Sequence, residues 1–271
     1  MRRIVRGRAA GYVLALGVVG TVVVGAWLHS SLVMLAAPAA VIAFVLLVAF
    51  RAADTRAEQE FFLSFSQARG LRYVGDTLLL PLTPLLGAGD RRECRHWMVG
   101  PVGDRAPDIS CGLGHYTWFD RKRADDNTVR WVPHHFTICV VDLEPGITMF
   151  PGVFLARRRG LVGRLGGGWL STGTRRKVEL ESARLHERQE LWVERSQDDL
   201  LLRELFSPSF VSWLAEHPLE PCFEYRAGTL VVYQERRLED AGRLGWLQDA
   251  TQVIAGRLAS EVAEAGSGRA A

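Results

Sequence analysis

Two uncharged apolar runs open the chain, and shorter alternating patterns follow them. Ala10–Leu28 reads AGYVLALGVVGTVVVGAWL, and Leu32–Phe50 reads LVMLAAPAAVIAFVLLVAF. A helix of about 19 residues rises about 28 Å, close to the ~30 Å of a bilayer core. His29-Ser30-Ser31 is too short a link for anything but an antiparallel turn, so the pattern predicts a transmembrane hairpin. Arg2, Arg3, Arg6 and Arg8 precede the first run, Arg51 and Arg56 follow the second, and the link carries no Lys or Arg. The positive-inside rule then predicts a multi-pass cell-membrane protein with both termini cytoplasmic. Gly17, Thr21 and Gly25 give the first run a small-residue face suited to packing on the second. Ala37-Pro38-Ala39 resembles a signal-cleavage site, but the apolar run continues to Phe50, which a cleaved signal does not need. Neither run contains an ionisable group, so the hairpin reads as an anchor.

Beyond it, Asp54 is placed to cap a helix over Thr55–Arg69 that stops at Gly70. Leu71–Val74, Cys94–Val99, Ile109–Phe119, Arg130–Val141 and Ile147–Ala156 read as strands; in the fourth, Val132, His134, Phe136, Ile138 and Val140 alternate onto one face. Val178–His186 and Gln189–Arg195 read as a hairpin pair, and Cys222–Arg226 with Thr229–Gln234 as another around Ala227-Gly228. Ser196 to Asp199 has capping-box spacing before a short helix, and Pro208 opens the next. Leu244, Leu247, Thr251, Ile254, Leu258 and Val262 step by three or four along a helix over 239–264. The expected fold is α+β: an N-terminal two-helix transmembrane hairpin, then a mixed, mainly antiparallel sheet domain closed by a long C-terminal helix. The expected organisation is a basic segment 1–9, a hairpin 10–50, a connecting helix 51–70, a cytoplasmic domain 71–265 and a tail 266–271.

Composition adds little. The 271 residues carry a net charge of +3, which makes no general case for nucleic-acid binding. Lys122 and Lys177 are the only lysines, so an arginine run follows from composition as readily as from function. The four cysteines, Cys94, Cys111, Cys139 and Cys222, are too scattered for a disulfide framework or a CxxC site.

Residues 155–177, LARRRGLVGRLGGGWLSTGTRRK, hold Arg157, Arg158, Arg159, Arg164, Arg175, Arg176 and Lys177 and no acid. Gly160, Gly163 and Gly166 recur at threes, unlike a dinucleotide fingerprint, and Gly168 to Thr174 lacks the lysine of a phosphate loop. Beside a membrane anchor, the basic cluster points to anionic lipid headgroups; a plain flexible connector explains it equally well. Trp169 is the one aromatic nearby, so stacking on nucleic acid is poorly served. The chemical constellation with the most potential is a set of strand pairs, Cys94 with His96, Cys111 with His115, and His135 with Cys139, since zinc accepts both side chains. Buried cysteines are ordinarily small apolar residues, and His134 reads as a hydrogen-bonded core histidine. Gly112-Leu113-Gly114 lacks a third glycine, His186-Glu187 lacks the second histidine of a zincin, and no GxSxG elbow occurs.

Leu82-Thr-Pro-Leu-Leu86 with Gly89-Asp90, Cys111-Gly-Leu-Gly-His-Tyr-Thr117, Asp199–Leu214 and Phe223-Glu-Tyr-Arg-Ala-Gly-Thr-Leu230 resemble an uncharacterised bacterial family. Its members join a membrane hairpin to a cytoplasmic domain of unknown function. The resemblance implies anchoring and no established activity, cofactor or catalytic residue. The resulting expectation is a membrane-anchored, non-enzymatic module binding a protein or lipid partner at the inner face, with no cofactor. The alternative is a metal-dependent or Cys/His enzyme at the membrane surface.

Overall fold

The computed structural model describes residues 31–103, 108–123, 128–143, 149–158 and 173–268. The chain divides into two compact units, Met1–Phe62 and Leu63–Ala271. Helix α1, Ser31–Ala68, is 38 residues long. It corrects the expected hairpin. Leu32–Phe50 does not end as a span; the helix runs unbroken through Arg51, Asp54, Arg56, Glu58 and Glu60. Asp54 therefore starts no new helix. Among the described residues no helix is long and apolar enough to cross a membrane. The two-helix transmembrane hairpin and the multi-pass cell-membrane location are not upheld. The first apolar run and segment 1–9 lie outside the described residues. Along α1, Ile42, Phe44, Leu46, Leu47, Val48 and Phe50 are exposed.

The second unit is built on a nine-stranded sheet: β1 (Arg72–Thr77), β2 (Arg91–Pro101), β3 (Ser110–Arg123), β4 (Val129–Asp142), β5 (Gly152–Arg157), β6 (Arg175–Val178), β7 (Gln189–Glu194), β8 (Cys222–Arg226) and β9 (Thr229–Gln234). Its spatial order is β1-β2-β3-β4-β9-β8-β5-β7-β6. Every neighbouring pair is antiparallel, so the sheet is not mixed. β3 and β4 pair from Cys111↔Val141 to Arg123↔Val129 without a register shift. Ala227 (φ 50°) and Gly228 (φ 78°) both adopt the left-handed region, as a tight hairpin turn between β8 and β9 requires.

The two faces are covered differently. Helix α6, Ala241–Gly268, packs on β4 and β9 and buries Leu244, Leu247, Thr251, Ile254 and Leu258. On that face Cys139 meets Thr251. Its neighbour Ile138 points the other way, into a cluster with Leu85, Leu86, Tyr116, Phe136, Phe154 and Tyr233. That opposite face is covered by a strap, residues 78–90, which contains the four-residue turn α2, Pro84–Gly87.

Smaller corrections follow from the caps. The expected hairpin strand Val178–His186 is instead β6 followed by helix α3, Ala183–Arg188, because Ser182 accepts a hydrogen bond from the Leu185 N–H and caps it. Helix α4, Asp199–Leu205, is capped by Asp198, which accepts from Leu200 and Leu201, and not by Ser196. Helix α5, Pro208–Glu216, follows as expected from Pro208. α6 continues through residues 266–268, into the expected tail.

The Gly112-Leu113-Gly114 motif is a seat for an indole. A Cβ on Gly112 would stand 1.9 Å from Trp97, and one on Gly114 would stand 2.9 Å from the same ring. Replacing Gly112 with Ala should therefore cost about 1–3 kcal/mol in urea denaturation, as over-packing does. Trp97→Ala in the same chain should remove most of that additional cost, leaving the two changes strongly non-additive.

Candidate functional site

Glu224 sits in β8 on the strap-covered face, between Phe154 of β5 and Val231 of β9 in the ladder. It is 1% exposed. A carboxyl there needs hydrogen bonds, because burying an uncompensated polar group costs several kcal/mol, and more when it is charged. The strap supplies them. The Leu85 N–H donates to Oε2 at 2.8 Å, and the Thr83 hydroxyl also hydrogen-bonds to the carboxylate. Thr83 in turn accepts from the Leu86 N–H and caps α2. Pro84 occupies a first-turn position, where its missing N–H is no loss.

The strap is fastened at further points. The Tyr116 hydroxyl and Arg92 Nη1 donate to the Leu86 carbonyl at 3.0 and 3.2 Å. Asp90 closes the far end: its N–H donates to the Phe119 carbonyl, and its carboxylate accepts the Arg121 N–H at 2.7 Å. Gly89 has φ 72°, and a Cβ there would stand 2.8 Å from Trp118, so the chain can enter Asp90 only through glycine. Residues 82–90, 111–117 and 223–230 thus meet here.

Burial raises Glu224 and holds the protons on the phenols and thiols around it. Burial pushes the Glu224 carboxyl up from 4.5 to about 7, against the hydrogen bonds from Leu85 and Thr83 and the attraction of Arg175 and Arg226. Burial also raises the phenols of Tyr116 and Tyr233 and the thiol of Cys94, and lifts Cys222 to about 12. Arg175, which attracts Glu224, lies 4.2 Å above the Phe154 ring and pairs with Glu194 at 3.1 Å. Glu224 Oε1, the Tyr233 hydroxyl and Trp118 Nε1 are buried with no hydrogen-bond partner.

The Cys/His candidates do not gather into one group that could hold a metal ion. A bulge between Arg95 and Met98, with His96 at φ 53°, breaks the alternation of β2. Cys94 accordingly faces the strap, whereas His96 lies beside Tyr73 (2.9 Å) and its ring meets His115 edge-on at 6.1 Å. His115 is also bonded to the Leu238 carbonyl. His135 meets Thr117 at 3.1 Å. Cys111 and Cys139 share a hydrogen bond on the α6 face, which lowers Cys111 and holds the proton on Cys139. Among the described residues no group of three His, Cys, Asp or Glu could hold a metal ion. His134 is hydrogen-bonded to Asp120 at 3.1 Å and lies against Trp118, part-buried rather than in the core.

Each described member of the basic cluster is paired. Arg157 binds Glu220, Arg158 and Lys177 bind Glu190, Arg175 binds Glu194, and Arg176 binds Asp199. Four of these five cations belong to β5 or β6 rather than to the connection between them. Arg159 and Arg164 lie outside the described residues.

A cleft of about 820 Å³ opens beside β6, the strand at one end of the sheet. Val178, Leu180, Leu202, Phe206, Val211 and Ala215 make its apolar lining. Glu179, Glu181, Arg184, Arg203 and Glu216 stand exposed at its rim. A smaller apolar hollow of about 300 Å³ lies between Leu143, Phe150, Tyr225 and the end of α6. No protein family, curated protein or solved structure matches this chain.

Glu224 sets a pH dependence. An acid raised from 4.5 to about 7 in the fold binds more protons folded than unfolded between those values. The penalty is absent below about pH 4.5, grows as pH rises through the window, and reaches about 3 kcal/mol above pH 7. Glu224→Gln should therefore flatten urea-determined stability between pH 5 and 8 and raise it at pH 8 by about 1–3 kcal/mol. Glu224→Ala should lower it at pH 5 by about 1–3 kcal/mol, because the Leu85 N–H loses its acceptor.

Proposed function

We propose that the second unit is a non-catalytic binding module that takes an extended stretch of a polypeptide partner in the cleft beside β6. The observation that supports this reading is the combination of an apolar floor, a charged rim and a sheet-end strand in one groove. A strand at the end of a sheet offers main-chain donors and acceptors to an extended peptide, while alternate side chains seek pockets. Val178, the last paired residue of β6, and Leu180 beyond it line the cleft, so an added strand would run along them. Rim charges of both signs would fix direction and register more than affinity.

The catalytic alternative has less to work with. Three of the four thiols are pushed up by burial or hydrogen bonding, and the histidines are spread over separate contacts. A nucleophile needs a base within reach and access to substrate.

Selection of a random-peptide display library against the full chain tests the reading. Enriched peptides should bind at least about tenfold more weakly to Leu180→Asp and several-fold more weakly to Arg203→Glu, both at the cleft. A photo-crosslinker placed at Ser212 should join those peptides to the protein. Equal binding to parent and variants, or crosslinks confined to other surfaces, would overturn it.

A further inference from the structure

Within the strap, Leu85 and Leu86 are buried in the core cluster, whereas Leu78 and Leu80 are 81% and 71% exposed. Its centre is secured by the bonds to Glu224, Tyr116 and Arg92, and its end by Asp90. Glu224 Oε1 remains unpartnered although fully enclosed. Under the closed strap the carboxylate is thus half-satisfied, whereas lifting the strap would admit water to both oxygens.

We infer that residues 78–90 form a proton-gated strap, held shut over the sheet while Glu224 is protonated and released as Glu224 ionises. The charged form gains solvation when the strap lifts; the neutral acid gains little, so ionisation favours opening. The surrounding charges do not cancel this. On the strap, the Thr83 hydroxyl and the Leu85 N–H stabilise the anion. From the sheet, Arg175 of β6 and Arg226 of β8 attract it, but Arg175 is already paired with Glu194. Tyr116 of β3, Tyr233 of β9, Cys94 of β2 and Cys222 of β8 stay protonated and bring no positive charge. Arg92 of β2 bonds the Leu86 carbonyl and not the carboxylate. Burial outweighs the attractions, which leaves the carboxyl titrating at about 7.

Opening uncovers a patch bearing a carboxylate, two phenols, an indole N–H and two thiols. The thiols provide the readout. Cys94 and Cys222 are 1% and 2% exposed within the strap's cluster, whereas Cys111 and Cys139 lie on the α6 face. The full-length protein is pulse-labelled with a thiol reagent from pH 5.5 to 8.5. Each rate is divided by that of a free thiol at the same pH, which removes the intrinsic rise in thiolate. With the carboxyl at 4.5 when open and about 7 when closed, the corrected rates of Cys94 and Cys222 rise about 30-fold over this range and level off near its top. Cys111 and Cys139 do not follow, and Glu224→Gln makes Cys94 and Cys222 independent of pH. Corrected rates that stay flat in the parent protein overturn the inference. So does an equal rise at all four cysteines, which means whole-domain unfolding, or an unchanged rise in Glu224→Gln. The comparison of the two faces in the parent chain stands even if the variant folds poorly.

Discussion

A carboxylate withdrawn from water has to be hydrogen-bonded, neutralised or re-exposed, and Glu224 sets that condition for one whole face of the sheet. Its side chain lies between Phe154 and Val231, and donors reach it from Thr83 and Leu85, far away in sequence. The strap must come down over the sheet for those donors to arrive. Once it does, Leu85 and Leu86 fill the space among Tyr116, Phe136 and Tyr233, and Gly89 and Asp90 lock the end against Phe119 and Arg121. Polar and apolar contributions are therefore coupled: the carboxyl positions the leucines, and the leucines keep water from the carboxyl.

The other face rests on a different principle. There α6 lays a continuous apolar stripe over β4 and β9, and α4 packs on it in turn. Arg257 ties the two helices by donating to the Leu205 carbonyl at the end of α4. That face is closed by burial of large side chains, which responds weakly to pH. The sheet is thus secured on one side by non-directional packing and on the other by a titratable clamp. The cleft beside β6 lies away from both, where the sheet ends.

Much of the sheet was legible, through alternation in β4 and through the Ala227-Gly228 turn between β8 and β9. β3, β4, β8 and β9 lie close to their expected limits, and the Leu244 to Leu258 stripe located α6. β6 was misread because RRKV has no alternation; its place is set by pairing with β7. Spacing assumes an unbroken ladder, and the bulge at His96 turns Cys94 and His96 apart, leaving Cys94 alone among the Cys/His candidates on the strap face. The transmembrane hairpin does not hold because the second uncharged run is not a bounded segment: α1 carries straight on into charged sequence. Glu224 was overlooked because a Glu between Phe223 and Tyr225 looks like a solvent-facing position. One signal could have found it. Leu230-Val231-Val232-Tyr233 is apolar without alternation, the mark of a strand buried on both faces, and Glu224 is the hairpin partner of Val231.

The most direct measurement is the titration of the Glu224 side-chain carboxyl itself, followed by carbon NMR in protein labelled at its glutamate carboxyls and assigned with Glu224→Gln. The account predicts a midpoint near pH 7, with the Leu85 amide proton shifting at the same midpoint through its hydrogen bond to Oε2. A carboxyl that titrates near 4.5, or a Leu85 amide indifferent to its ionisation, would contradict it.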